Sequence, residues 1–393
     1  MKNKTVAIYS GEIPSTTFIE RLVLGLSSAD VTIYLFGKQK KKIKYPKNVK
    51  LFSYSNKISK FVVLLKYTVL LTLYKPKEKH KLDKIIASEK GNNQLKKIKY
   101  YPVLYHKPEI FHLQWAKGIE DWLWVKEFGI KYVLSLRGTH ISISPIVDQT
   151  LKKKYETNFH KIDGFHAVSK TILKEARNYE QNLKNATVIY SGLELEKLIF
   201  RPKISINSEL KVLSIGRSHW LKGYNYALDA LAILKQENFN FQYTILGIET
   251  GEELIFQRNQ LDLDESISFQ KNISFNQVIE QIYKADIVLL PSLEEGIANV
   301  VIEAMALGTI VISTDCGGMK EIIKNEENGF LVPTRDSKAI AKAIKKIKSL
   351  SLESYNKITL EAKFAIEKQH SVEKMVADFN EFYDLISSKN TAS

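Results

Sequence analysis

A chain of 393 residues, 44% hydrophobic and 10% aromatic, is too long for one ordinary core and apolar enough to fill two of roughly 150–200 residues each. Its one cysteine, Cys316, excludes an intramolecular disulfide and a cysteine-built zinc site, so a reducing cytoplasm is the simplest compartment. The net charge of +15 is lodged in the first half: residues 1–200 hold 36 Lys and Arg against 17 Asp and Glu, whereas residues 201–393 hold 22 against 26.

The opening MKNKTVAIYSG has a basic start but only a short apolar run that ends at a turn. It predicts a first strand over residues 5–9, not a secretory signal. A helix over 17–26 and a strand over 31–36 follow. The lysine-rich segments 38–50 (KQKKKIKYPKNVK) and 75–84 then flank an apolar, aromatic run, 61–74 (FVVLLKYTVLLTLY). Two readings stay open for that run. It is either an interfacial helix whose lysines are drawn to an anionic membrane surface, or a core helix with solvated lysine flanks. Nucleic acid is not an expected partner, because no binding motif accompanies the charge. No apolar stretch reaches the roughly 18–20 residues that span a bilayer.

Further strands are predicted at 110–113, 132–136 and 164–168. The polar, proline-containing stretch 200–209 (FRPKISINSE) reads as a linker. Beyond it the rhythm starts again, with short apolar strands at 211–215, 242–246, 266–269, 286–290 and 309–313 separated by helices such as 224–236 and 276–283. Such alternation predicts an α/β protein with two parallel, doubly wound sheets. The expected domains are 1–200 and 201–365, followed by a C-terminal segment, 366–393. Helices are expected over 360–364 and 371–385, the second with Val372, Met375, Val376, Phe379 and Phe382 or Tyr383 along one side.

Two constellations carry chemistry. The first is Ser214–Gly223 (SIGRSHWLKG), where Gly216 and Gly223 permit a tight loop after a strand and Arg217 and Lys222 place two cations before a helix. Arg grips phosphate oxygens bidentately and Lys adds a point charge, so the loop suits a diphosphate and the negative charge of a phosphate leaving group. The loop is neither a Walker A sequence nor G-x-G-x-x-G, and two surface cations are the plain alternative. The second is the stretch from Pro291 to Glu321, PSLEEGIANVVIEAMALGTIVISTDCGGMKE. Glu295 falls in the loop at the carboxyl end of strand 286–290, the edge where open α/β sheets bind ligands. Glu303 lies about one turn into a helix over 299–307, whose start offers N–H groups and a positive dipole end. Carboxylates suit sugar hydroxyls because each accepts paired hydrogen bonds in a fixed plane. Asp262 and Asp264 spell D-x-D in a polar segment and read as a surface loop; with two cations available for a diphosphate, no metal is expected. Cys316, beside Gly317 and Gly318, has no paired base and reads as a small packed residue.

In this order, about 80 residues apart, the two constellations resemble the donor site of retaining GT-B glycosyltransferases of family 4. The matching residues are Gly216-Arg217 with Lys222-Gly223, Pro291-Ser292, the Glu295/Glu303 pair, and Gly317-Gly318 with Glu321. The likeness continues through 328–333 (NGFLVP) and reaches back to 167–169 (AVS) and 188–192 (VIYSG). In the first half, 14–19 (PSTTFI) is similar to the P-x-x-S-E-T-F-I signature of a branch that builds exopolysaccharides and cell-surface polysaccharides, with Thr16 in place of Glu. The segment 112–115 (HLQW) resembles H-x-H-W without its second His, and 136–141 (LRGTHI) lies where many members have H-G-x-D. Arg137 thus stands for a histidine that approaches the donor sugar, and His140 for the acid.

The resemblance implies a GT-B fold: two Rossmann-like domains facing a central cleft, the last helix crossing back to the first. It implies that a nucleotide sugar lies on the second domain, its base near Gly247–Glu249 and residues 270–273, with Glu303 on the ribose hydroxyls. Arg217 and Lys222 would hold the diphosphate and Glu295 the hydroxyls of the transferred sugar. The N–H groups of Gly296, Ile297, Ala298 and Asn299 would serve sugar and phosphate. Gly216 and Gly247 fall in donor loops, and Gly11 is what remains of the family's paired glycines. Arg137 contacts sugar or phosphate on this reading, or His140 supplies the imidazole. No cofactor is implied, and a UDP-sugar is favoured over a GDP-sugar. The expected protein is a cytoplasmic hexosyltransferase, peripheral on the inner face of the plasma membrane, extending a surface glycan on a lipid-linked acceptor. A GT-B sugar-nucleotide epimerase and a catalytically silent glycan- or nucleotide-binding subunit are the alternatives.

Overall fold

The structure, a computed structural model, describes residues 4–29, 31–248 and 251–388. It divides into two compact units, the first comprising residues up to 168, 172–192 and the chain from 372 onward, the second 169–171 and 193–371.

The first unit is built on seven strands: β1 (Lys4–Ile13), β2 (Val31–Gln39), β3 (Val49–Tyr54), β4 (Ile110–Leu113), β5 (Lys131–Leu136), β6 (Gly164–Ala167) and β7 (Ala186–Val188). They pair in parallel in the order β3-β2-β1-β4-β5-β6-β7. The central strands read as unbroken apolar runs because helices cover both faces of the sheet. β1 is longer than expected. Its register with β2 shifts between Ile8 and Gly11, so the irregularity lies at Tyr9 and Ser10, and Gly11, paired with Gly37, sits within the strand instead of in a loop after it.

The second unit has six parallel strands: β8 (Leu210–Ile215), β9 (Phe241–Leu246), β10 (Ile267–Gln270), β11 (Ile287–Leu290), β12 (Ile310–Thr314) and β13 (Phe330–Val332). Their order is β10-β9-β8-β11-β12-β13. The strand order of this sheet reverses between β8 and β11. The stretch 200–209 forms no helix or strand, but it is no free linker: the chain enters this unit at Leu193. Asn207 donates to both carboxylate oxygens of the fully buried Asp286, at 3.1 and 2.9 Å, and Lys203 pairs with the same group at 3.2 Å. The polar residues that suggested a linker satisfy a buried charge.

The last helix, Val372–Ser388, belongs to the first unit. A Cβ on Gly25 would come within 2.8 Å of Val376, and one on Gly164 within 2.5 Å of Ile386. These two glycines therefore let the helix lie close against the helix Thr17–Leu26 and β6. Its Tyr383 ends a buried chain of hydrogen bonds. His166 Nε2 donates to the Ile189 carbonyl at 3.0 Å, which leaves Nδ1 of the neutral ring to accept from Ser135 Oγ at 2.9 Å. Ser135 Oγ then accepts from His112 Nε2 at 2.8 Å, and His112 Nδ1 accepts from the Tyr383 hydroxyl at 2.8 Å. Each link fixes the next tautomer. Burial, with the charge of nearby Arg137 adding to it, pushes His166 down to about 3 and His112 well below the usual imidazole range.

The unfolded chain takes up protons on these imidazoles below about pH 6.5 and the folded chain does not, so stability falls as pH falls. From pH 7 to pH 6 the two histidines together should cost about 1 kcal/mol, and the loss steepens toward pH 4. Tryptophan fluorescence during urea unfolding checks this, since Trp115, Trp122 and Trp124 lie in the first unit. An unchanged midpoint between pH 7 and pH 5 would contradict it.

Candidate active site

The reversal of strand order between β8 and β11 opens a crevice at the carboxyl edge of the second sheet, the usual ligand position in open parallel sheets. The loop after β8 carries Gly216, Arg217 and Lys222; the loop after β11 carries Glu295. Both constellations therefore converge on one edge. Lys222 Nζ donates to Glu295 Oε1 at 2.6 Å, and Ser292 Oγ donates to the same oxygen at 3.0 Å. Among the described residues Oε2 accepts no hydrogen bond, which leaves it to a ligand hydroxyl. Arg217 is exposed and has no ion pair among the described residues. The two loops are also joined through the backbone, Leu293 N donating to Leu221 O at 2.7 Å.

Glycines hold this arrangement. Gly223, at φ +63, caps the 3-10 turn Trp220–Lys222, and a Cβ there would lie 2.1 Å from the Pro291 carbonyl. Gly317, at φ +52, brings the loop after β12 so close that a Cβ would lie 1.6 Å from the Glu295 carbonyl oxygen. Gly318 N donates to the Gly296 carbonyl at 2.9 Å. The G-G pair thus props the backbone that carries Glu295. Gly247, at φ +98, lies against Gly216, placing the loop after β9 beside the cationic loop; Glu249 lies outside the described residues.

The helix Asn299–Leu307 begins at Ala298, and no side chain caps it. The loop of Gly296 and Ile297 leads directly into its first turn, whose N–H groups have no intrahelical partner and suit an anion. Glu303 is 8% exposed in its second turn, more enclosed than a ribose contact leads one to expect. Asp262 and Asp264 are exposed on a turn, with buried Leu263 between them. Cys316 is buried, and burial pushes its thiol up to about 12, so it is protonated at neutral pH.

In the first unit Arg137 follows β5, and Gly138 after it adopts φ +38. Arg137 donates from a terminal guanidinium nitrogen to Gln114 Oε1 at 2.8 Å and lies 4.5 Å from the Phe18 ring centroid. Burial lowers its pKa to about 9, which leaves it charged at neutral pH. His140 packs on Trp115 at 5.3 Å between ring centroids, and burial, followed by the charge of Lys117, lowers it to about 4. An imidazole so depressed is neutral at pH 7. Ser292, named above only as part of a matching motif, thus holds Glu295, and Gln114, whose role was not foreseen, stands where H-x-H-W has its second histidine.

Residues 196–363 match the family model described as glycosyl transferases group 1. The chain is 30% identical over 225 residues to the amylovoran biosynthesis glycosyltransferase AmsK of Erwinia amylovora, covering 54% of this chain and 53% of that protein. It is 30% identical over 200 residues to the putative colanic acid biosynthesis glycosyltransferase WcaL of Escherichia coli, covering 48% and 46%. The chain thus spans about half the length of these curated relatives. Sucrose-phosphate synthase of Thermosynechococcus elongatus superposes with a TM-score of 0.76 at 17% identity, covering 98% of this chain and 100% of that one. HepE of Anabaena in complex with UDP superposes with 0.70 at 16% identity, covering 97% and 100%. At these identities the likeness is one of fold, and the fold is GT-B.

Proposed function

We propose that this chain, whose residues 196–363 match the glycosyl transferases group 1 model, is a retaining glycosyltransferase that moves a hexose or N-acetylhexosamine from a nucleotide-diphosphate sugar to a glycan acceptor in surface polysaccharide synthesis. The observation that carries the reading is the meeting of Lys222 and Glu295 at the β8/β11 crevice, with Arg217 exposed on the same loop as Lys222. Arg217 and Lys222 hold the diphosphate and neutralise the charge that grows on it as the glycosidic bond breaks. Glu295 Oε2 accepts a hydroxyl of the transferred sugar, and Lys222 fixes the carboxylate's orientation. With the cations supplying that stabilisation, no metal is needed. No protein nucleophile is assigned, so attack comes from the front face: the leaving phosphate takes the acceptor's proton as an oxocarbenium-like centre forms. UDP-sugars are the favoured donors, in keeping with the UDP bound by the Anabaena relative in fold. The test is transfer from a panel of nucleotide sugars, alongside the thermal shift each donor causes. Binding without turnover across the panel would instead favour a silent binding subunit, and interconversion of the donor sugar an epimerase.

The acceptor is lipid-linked on this reading, and the protein works in the cytoplasm against the membrane. What supports this is the helix Lys57–Tyr74. A capping box of Asn56 and Ser59 starts it, and it buries Tyr67 and Leu71 while Phe61, Leu65 and Leu73 stay 65, 55 and 68% exposed. The apolar stripe lies outward with Lys57, Lys60 and Lys66 on the same helix, and every lysine of 38–50 is exposed. No helix among the described residues is long and apolar enough to cross a membrane. Phe61→Ser with Leu65→Ser, or four Lys→Glu changes within 38–50, should each weaken binding to phosphatidylglycerol vesicles roughly tenfold or more. Cosedimentation unchanged by both sets would remove the membrane from the proposal.

A further inference from the structure

The carboxyl ends of β4 and β5 hold a second polar cluster, wholly within the first unit. Gln114 is fully buried; its Oε1 accepts from Arg137, while its Nε2 has no hydrogen-bond partner. Arg137 Nε is also buried without a partner, and so is His140 Nδ1. Among the described residues no carboxylate pairs with Arg137. Its polar surroundings are Gln114, the neutral rings of His112 and His166 and the hydroxyl of Tyr383, and its apolar neighbour is Phe18. Trp115 joins the group, 6.0 Å from Phe18 and 5.3 Å from His140 between ring centroids.

Buried polar atoms are nearly always hydrogen-bonded, and a buried charge without a counter-ion is among the most destabilising features a fold can retain. Such strain concentrates where a ligand completes the set. A guanidinium and an amide N–H₂, both with donors to spare, complement an oxyanion; Arg in particular matches the planar fork of a carboxylate or the edge of a phosphate. The two aromatic rings add apolar walls of the kind that line ligand sites.

We propose that Gln114, Arg137 and His140 form a specificity pocket for an oxyanion carried by a sugar substrate, a uronate carboxylate or a phosphate substituent. That the carrier is a sugar rests on the glycosyltransferase reading; the demand for an oxyanion rests on the cluster alone.

Calorimetric titration of the full chain with sodium glucuronate, inorganic phosphate and glucose tests this in the wild type, Arg137→Met and Arg217→Ala. The expected result is that glucuronate binds wild type and Arg217→Ala alike and Arg137→Met at least tenfold more weakly, or, failing glucuronate, that the phosphate still bound by Arg217→Ala is lost when Arg137→Met is added to it, and that glucose does not bind. Whichever anion shows this pattern identifies the source of the oxyanion. Glucuronate binding unaffected by Arg137→Met, or binding of both anions absent once Arg217 is removed, overturns the proposal. Melting temperatures guard against mere unfolding: Arg137→Met removes an uncompensated buried charge and should melt at or above the wild-type temperature, whereas a marked fall would make Arg137 a structural group and overturn the pocket. UDP titrated into the same samples keeps the two readings apart. Loss of UDP binding in Arg217→Ala speaks to the donor site, and its failure to occur leaves the glucuronate result standing.

Discussion

Replacing Glu295 with Ala is expected to lower kcat/KM for sugar transfer roughly 10²- to 10³-fold, the scale seen when one well-placed group that stabilises a transition state is removed. Two effects add. Oε2 no longer accepts the sugar hydroxyl, and Lys222, which donates to Oε1 at 2.6 Å, loses the partner that aims it at the diphosphate. Glu295→Gln separates them, because an amide oxygen still accepts the lysine proton without the charge. It should therefore lose less than the Ala variant. Both side chains of the pair are about one-fifth exposed, at 21 and 19%, so the fold should survive the loss with a modest change in melting temperature. Steady-state kinetics with the best donor of the panel reads the outcome. An Ala variant with wild-type kcat/KM would end the assignment of Glu295 to the reacting sugar.

Gly317→Ala should damage the protein without touching any group that does chemistry. Its φ of +52 costs a side chain about 1 kcal/mol by itself. Steric overlap costs more, since the added methyl would sit 1.6 Å from the Glu295 carbonyl oxygen, which is backbone and cannot swing aside. Either the loop of Glu295 and Gly296 moves or the one after β12 does, and destabilisation on the order of 3 kcal/mol or more is expected. Gly129→Ala is the control: it has φ +74 and nothing within 4 Å of the new methyl, so it should cost only about 1 kcal/mol. The difference between the urea midpoints of the two variants measures the overlap directly. Equal midpoints would mean the loop adapts freely, and UDP affinity in Gly317→Ala should fall in parallel if the glycine props the donor loop.

Legibility in the sequence followed the range of the interaction. The cationic loop and the Glu295 loop were visible because each lies within ten residues of its strand, and a strand's end is marked by its own apolar run and the glycines after it. Of the four edge strands only β10 was visible, at 266–269. β7 and β13 are three residues each and β3 buries only Val49 fully, too little for an apolar pattern to stand out. The two readings of 61–74 could not be separated either, because periodicity shows that a helix has an apolar face but not whether another element covers it. The structure gives that helix both, a packed side at Tyr67 and Leu71 and an open one at Phe61, Leu65 and Leu73.

Sequence alone determined the α/β class, the repetition of the strand-helix rhythm and the family resemblance carried by Arg217, Lys222, Glu295 and Gly317-Gly318, all properties of local spacing. Tertiary structure decided which distant residues meet. Lys222 and Glu295 are 73 residues apart, and the lysine donates to the carboxylate; Gln114 and Arg137, two departures from the family pattern, turn out to be hydrogen-bonded neighbours. The stretch that read as a linker is bound to Asp286, and Tyr383 closes a chain that begins at Ile189. The physical reason is common to all of these. Strand order, not chain order, sets which loops lie side by side, and parallel pairing between strands far apart in sequence leaves no trace in the spacing of residues along the chain.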